Sequence, residues 1–171
     1  MSHHVRLFVS APSALRPFLE LSPAARLYTL TPDTDVAVLP YDEAVQDALH
    51  RRFGTGDWPE HQKLMLSTAD QTFAAECSAT APLAYLETNY FGGIGMQSSA
   101  VWQLGRAAIA PTTMNSAAQG GQRPPTLWPI NVALRALGVR ASPAGDEFTA
   151  FGLVDFRSNE AIHARAWPLR V

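Results

Sequence analysis

The stretch LAYLETNYF, residues 83–91, carries the densest β-strand signal in the chain and decides its fold class. Successive side chains of a strand point to opposite faces, so Glu87 falls on one face and Tyr90 on the other. A glycine-rich reversal follows and leads into a second strand at 96–103, and Leu104-Gly105 is a two-residue connection into a third. We therefore predict an antiparallel meander in the middle of the chain.

Outside the meander, helix and strand patterns alternate. Val45, Ala48 and Leu49 share one face of a helix that ends before Gly54, the residue type that most often terminates helices. Pro17 argues against regular helix beyond the first turn after Pro12. The predicted strands are 5–10, 25–30, 36–41, 83–91, 96–103 and 106–110, and the predicted helices are 12–21, 42–53, 59–78 and 129–138. This order predicts an α+β fold: a mixed or mainly antiparallel sheet with three to four helices packed against it.

Length and composition describe one folded domain. The chain has 171 residues, of which 47% are apolar and 16% are charged, so a single core over residues 1–171 is expected. Residues 111–127 (PTTMNSAAQGGQRPPTL) are rich in Pro, Gly, Ser and Thr, and we predict a long surface loop there. The two histidines at positions 3 and 4 precede the first predicted strand and are expected to be mobile.

Composition also excludes several classes of protein. Cys77 is the single cysteine, so neither an intrachain disulfide nor a cysteine-based zinc site can form. A net charge of -2 and a pI near 6.2 argue against nucleic-acid binding. No apolar run approaches the roughly 18 residues of a membrane helix, and the N-terminus lacks a signal-peptide pattern, so a cytoplasmic protein is expected.

Familiar catalytic spacings are missing from the sequence. The Phe91–Gly95 glycine cluster lacks the strand-to-helix context of a phosphate-binding loop, and Cys77 lies on an apolar helix stripe with no histidine locally paired to it. Asp33-Thr34-Asp35 has the D-x-D spacing of a metal site, but Pro32 makes a turn the better explanation. We therefore predict no catalytic residue, no cofactor and no metal.

Carboxylates are the remaining side chains that could form a functional site. Glu87 is an acid centred in the most apolar strand: if it is buried, it must be paired or have a raised pKa, and if it is exposed, it belongs with Asn89 to the polar side of a sheet. Asp146 and Glu147 precede Phe148, where they would either cap a helix or face a partner.

Two blocks of sequence resemble a known group of proteins. AYLETNYFGGIGMQ at 84–97 and INVALRALGV at 130–139, followed by DEF at 146–148 and AFGL at 150–153, are similar to a family of small uncharacterised bacterial proteins associated with immunity partners of secreted antibacterial toxins. The resemblance covers roughly residues 82–158. It implies a binding protein and carries no catalytic assignment.

Charge distribution agrees with a binding role. Residues 31–60 hold seven acids and two arginines, whereas residues 101–145 hold four arginines and no acid. Such segregation can steer a charged partner to one face. We predict a non-enzymatic, immunity-type inhibitor that occludes a toxin domain, with these contact residues: Glu87, Asn89, Tyr90, Asp146 and Glu147.

Two other functions stay open at this stage. One is a small-ligand-binding protein or enzyme whose site combines Glu87 with distant residues such as His50 or Arg157; it requires a pocket that converges on Glu87. The other is a structural module that forms a symmetric dimer through a large apolar patch. The sequence leaves the oligomeric state and the identity of the partner open.

Overall fold

A computed structural model describes residues 2–32, 34–59, 64–91, 94–116, 124–141, 143 and 145–169. The strands are β1 (Ser2–Ser10), β2 (Tyr28–Thr29), β3 (Ala37–Pro40), β4 (Leu83–Phe91), β5 (Ile94–Gln103), β6 (Arg106–Asn115) and β7 (Trp167–Pro168). The helices are α1 (Pro12–Leu21), α2 (Glu43–Phe53), α3 (Thr68–Cys77), α4 (Pro129–Ala136), α5 (Glu147–Ala150) and α6 (Asn159–Arg165), and short 3-10 turns lie at Pro125–Leu127 and Leu153–Asp155.

The strands form one antiparallel sheet in the order β6-β5-β4-β1-β3-β2-β7. The predicted α+β class and the central meander β4-β5-β6 are confirmed. The described residues form six helices, more than the three to four expected, because the sequence between 146 and 165 holds two short ones. Strand β1 lies in the middle of the sheet and pairs with β4 along its whole length.

Helices cover both faces of the sheet, so its central strands are buried on both sides. On one face, Phe8 of β1 packs against the rings of Phe18, Tyr41 and Tyr85, with ring centroids 4.8 to 5.3 Å apart, under helices α1, α2 and α3. On the other face, apolar residues of β1 and β4 such as Leu86 pack against α4 and α6. The period-2 alternation of the sequence therefore assigns Leu83 and Tyr85 of β4 to one core and Ala84 and Leu86 to the other.

The turn between β5 and β6 has the geometry that its length requires. Leu104 and Gly105 both have positive φ, at 53° and 76°. Two-residue hairpin loops favour this conformation because its twist matches that of the flanking strands. The predicted two-residue connection is confirmed, although leucine is an unfavourable residue for the first position.

The helix predicted at 12–21 is confirmed as α1, which continues through Pro17 although proline argued against regular helix beyond the first turn. Proline removes the N–H that would bond to the carbonyl of Ser13. Ser13 is exposed, so water can solvate that carbonyl, while Ala14, Leu15 and Phe18 are buried and hold the helix against the sheet.

Three other sequence predictions need correction. Residues 111–115 of the loop expected at 111–127 belong to β6, where proline and threonine are tolerated since β6 is an edge strand, and Pro125–Leu127 form a 3-10 turn. Residues 117–123 of that segment lie outside the described residues. The helix expected from residue 59 begins at Thr68, and residues 60–63 lie outside the described part. His3 and His4 are not a mobile end, because β1 begins at Ser2 and pairs with β4 there.

Candidate functional site: the Tyr90 cleft

The alternation of β4 divides the predicted contact residues between the two faces of the sheet. Glu87 and Asn89 lie on the face of α1 to α3, whereas Tyr90 lies on the opposite face. Asp146 and Glu147, at the start of α5, lie on the Tyr90 side. The five residues therefore do not form a single surface, and a partner that meets Tyr90 meets Asp146 but not Asn89.

Tyr90 and Asp146 line a common concavity of about 320 Å³, which we call the Tyr90 cleft. Its floor comes from β1, β4 and β5, and its walls come from the start of α4, from α5 and from the chain around the second 3-10 turn. The lining residues are His3, Tyr90, Gln97, Trp128, Asn131, Asp146, Phe148, Val154 and Arg157.

Gln97 fixes the position of Tyr90. Its side-chain Nε2 donates to the Tyr90 hydroxyl at 3.0 Å, and its Oε1 accepts the backbone N–H of Ile130 at 3.1 Å, which ties the first turn of α4 to the sheet. Burial raises the pKa of the Tyr90 phenol, so it stays protonated at neutral pH. The hydroxyl accepts from Gln97 and retains a hydrogen that it can donate into the cleft.

Asn131 and Asp146 form the opposite wall. The Asn131 Nδ2 donates to Asp146 Oδ2 at 2.9 Å, and its Oδ1 accepts the N–H of Phe148 at 2.7 Å. Asp146 caps α5, accepting the N–H of Thr149 at 3.0 Å. Partial burial works to raise the pKa of Asp146, but the hydrogen bonds from Thr149 and Asn131 together outweigh it and hold the pKa below its ordinary value. The carboxylate is therefore ionised at neutral pH.

His3 closes the cleft beside Phe148, with the two rings 5.6 Å apart. Its Nε2 contacts the carbonyl of Leu153 at 3.3 Å and its Nδ1 contacts the Thr88 hydroxyl at 2.8 Å. Because a carbonyl only accepts, Nε2 carries the hydrogen and Nδ1 accepts from Thr88. Burial lowers the pKa of His3, so the ring is neutral at pH 7. Both nitrogens thus serve the fold.

Glu87 and Glu147 are buried, 8% and 4% exposed, and each is held by the protein itself. Glu87 Oε2 accepts the N–H of Met65 at 3.0 Å and the hydroxyl of Tyr85 at 3.1 Å. Glu147 Oε1 accepts Nε of Arg135 at 2.7 Å. The question left open by the sequence is answered for Glu87: its side chain is buried and accepts hydrogen bonds from neutral groups of the protein.

The structure separates Arg157 from Glu87 in the alternative site. His50 contacts the fully buried Asp70, with 2.8 Å between Nε2 and Oδ1, while Arg157 lines the Tyr90 cleft on the other side of the sheet from Glu87. Only a large rearrangement could bring Arg157 and Glu87 together.

One polar network escaped the sequence predictions. Asp70 also accepts the hydroxyl of Tyr41 at 2.7 Å and the N–H of Ser67 at 2.8 Å, and Ser67 Oγ lies 3.3 Å from His50 Nε2. Serine, histidine and aspartate meet here, but Ser67 and Asp70 both contact the same nitrogen of His50, so the ring cannot relay a proton between them as in a hydrolase triad. The spacing Ser67-x-x-Asp70 in the sequence could have indicated part of this network, because it is typical of a capping box, which forms at the start of α3.

Comparison with known proteins gives no family. No protein-family model matches the chain, and no curated protein or solved structure is significantly similar to it. The association with immunity proteins therefore stays a prediction.

The described residues show neither a cluster of metal ligands nor a membrane-spanning helix. They contain no group of three or more His, Cys, Asp or Glu side chains arranged to hold a metal ion. None of the helices in that part of the chain combines the length and the apolar character that a membrane crossing demands.

Proposed function

We propose that the protein is a non-enzymatic binding protein of the immunity type, and that the Tyr90 cleft receives a side chain of its protein partner. The observation that carries the proposal is the pre-arranged lining of the cleft. Gln97, Asn131 and Asp146 are fixed by hydrogen bonds to the protein, around walls that include Trp128 and Phe148. A site whose groups are already fixed binds without the cost of ordering them.

The lining offers recognition groups in place of a reacting pair. Both ring nitrogens of His3 are engaged by Thr88 and Leu153, and Asp146 is held ionised as a helix cap. Catalysis by a general base normally requires a group that is poised near the working pH and directed at a substrate. The arrangement at the cleft is more typical of binding.

Exposed apolar side chains next to the cleft in sequence enlarge the surface available to a partner. Leu127 precedes Trp128 and is 54% exposed, and Val154 in the lining is 47% exposed. Aromatic residues at the centre of an interface commonly carry most of its binding energy, surrounded by apolar neighbours that exclude water. Tyr90 would be such a central residue.

The size of the cleft also favours a second function, the binding of a small molecule. A volume of about 320 Å³ lies at the lower end of the range of ligand pockets, roughly 300–1,000 Å³. This alternative moves the site of the small-ligand hypothesis from Glu87 to Tyr90. It predicts that a compound, with no protein partner present, stabilises the chain against heat.

Adjacent β4 residues on opposite faces provide a matched test. We would measure binding to the C-terminal domain of any large secreted protein encoded beside the gene, by biolayer interferometry, for the native chain and for Tyr90→Ala, Tyr90→Phe and Asn89→Ala. Loss of a central aromatic anchor should weaken binding at least about 30-fold, whereas Asn89→Ala should change it less than about threefold. Circular dichroism would establish that each variant is folded.

Three results would contradict the proposal. They are no binding to any neighbouring domain, equal loss from Tyr90→Ala and Asn89→Ala, or loss from Asn89→Ala alone. Thermal stabilisation by a small molecule that is abolished by Tyr90→Ala would favour the second function instead.

A further inference from the structure

We propose that the guest of the Tyr90 cleft is a cation, the guanidinium or ammonium group of an arginine or lysine side chain on the partner. The inference rests on the proposed function and specifies the chemistry of the group that the cleft accepts. It is carried by two features of the lining: aromatic walls and an ionised carboxylate.

The aromatic walls come from three separate segments of the chain. Tyr90 lies on β4, Trp128 precedes α4, and Phe148 lies in α5, with the ring of His3 beside it. The face of an aromatic ring is negative and attracts cations placed within about 6 Å of its centroid, and the attraction is strongest where water is excluded. An aliphatic guest would need no carboxylate beside these rings.

Asp146 supplies the counter-charge. Its Oδ1 accepts the N–H and the hydroxyl of Thr149, and its Oδ2 accepts from Asn131. A carboxylate has about four acceptor positions, so Oδ2 can take a further hydrogen bond from a guest. Hydrogen bonds between charged groups are about twice as strong as neutral ones, which makes Asp146 the natural end point for a guanidinium.

The remaining ionisable groups of the lining set the sign of the expected effects. His3 is neutral at pH 7 and does not compete with a cation. Arg157 lies on the same lining and is exposed, so its charge opposes a cationic guest. Removing Asp146 and removing Arg157 should therefore change affinity in opposite directions, and an anionic guest would reverse both signs.

The test uses N-acetyl-L-arginine amide as the probe and N-acetyl-L-citrulline amide as its neutral isostere. Binding to the full chain would be followed by ¹H–¹⁵N correlation spectra up to about 50 mM probe, because one side chain in one pocket is expected to bind in the millimolar range. The variants are Asp146→Asn, Arg157→Gln and, as a control on the other face, Asn89→Ala. Asparagine caps helices well, so Asp146→Asn should remain folded.

We expect saturable shifts at Tyr90 and Phe148 with the arginine probe and at least about tenfold weaker binding of citrulline. Asp146→Asn should weaken arginine binding about tenfold, Arg157→Gln should tighten it about twofold to fivefold, and Asn89→Ala should leave it unchanged. Equal binding of arginine and citrulline, tighter binding by Asp146→Asn together with weaker binding by Arg157→Gln, or no saturable shift would overturn the inference. Partner binding that still depends on Tyr90 would, in any of those cases, leave the proposed function standing.

Discussion

Removal of the Asp70 carboxylate should destabilise the protein more than any other single polar change in the described part of the chain. Asp70 is fully buried and accepts the hydroxyl of Tyr41, the Nε2 of His50 and the N–H of Ser67, all within 2.8 Å, and a longer bond from Gln46. Asp70→Ala removes all four acceptor contacts. It leaves the hydroxyl of Tyr41 and the N–H of Ser67 in the interior without that partner.

The magnitude follows from those two donors. Each buried donor that loses its partner costs about 1–3 kcal/mol, so the pair predicts a loss of about 4 kcal/mol in the free energy of unfolding. For a chain of this length, about 2–4 °C of melting temperature accompanies each kcal/mol, which gives a decrease of about 8–16 °C. Tyr41→Phe removes a hydroxyl and strands no donor, so it should cost about 1–2 kcal/mol.

Urea unfolding followed by tryptophan fluorescence, with both single variants and the double variant, measures the coupling. The double variant has no Tyr41 hydroxyl left without a partner. Its loss in the free energy of unfolding should therefore be about 1–2 kcal/mol smaller than the sum of the two single losses. A loss below about 1.5 kcal/mol for Asp70→Ala, or additive costs within about 0.5 kcal/mol, would refute the reasoning.

Further predictions concern four separate features. Because Glu87 accepts both of its hydrogen bonds at Oε2, Glu87→Gln can keep them and should cost less than about 1 kcal/mol, whereas Glu87→Leu should cost about 2–4 kcal/mol by urea titration; equal costs would contradict this assignment. Burial raises the pKa of Cys77 to about 12, so Ellman's reagent should react with it only after unfolding, and rapid reaction with the folded chain would show the pKa argument wrong. Leu104 is 71% exposed and has a φ of 53°, so Leu104→Asn should raise the free energy of unfolding by about 0.5–1 kcal/mol. An unchanged or lower free energy of unfolding would contradict this prediction. His3 binds a proton less readily in the folded chain, so the stability that it contributes is complete above pH 6.5 and declines as pH falls below it. His3→Gln should therefore reduce the change of the urea midpoint between pH 7.5 and 5.5. The same pH dependence in the variant and the native chain would exclude this contribution.

The local sequence pattern was sufficient to predict most of the fold. The alternation in β4, the two-residue turn at Leu104 and the apolar face of α2 depend on neighbours in sequence, and these predictions are confirmed. The end of β6 was missed because its polar, proline-containing composition is acceptable only at a sheet edge, and edge position depends on the whole topology. The start of α3 was missed because Met65 continues the four-residue spacing of Ala69, Phe73 and Cys77, although Met65 is 50% exposed and the chain before Thr68 is irregular.

The candidate site was only partly accessible to sequence reasoning. Tyr90 and Asp146 were named for their residue types, but their meeting at one cleft depends on how α5 packs, and nothing local encodes that. Glu147 was named with Asp146, yet Arg135, twelve positions earlier, holds it in the interior. His3 was expected to be mobile because the first residues of a chain have few neighbours in sequence; its neighbour in space is Tyr90, across the β1–β4 register.

The central position of β1 bears on how the chain is made. Its partner on one side, β3, is synthesised soon after it, but β4 follows roughly 80 residues later, which at ribosomal speeds of about 5–20 residues per second is a delay of about 4–16 seconds. Through that interval one edge of a strand containing Val5, Leu7 and Val9 has no native partner. A nascent chain stalled before Leu83 should therefore be a target for ribosome-associated chaperones, and slow codons placed in that segment should lower the yield of native protein.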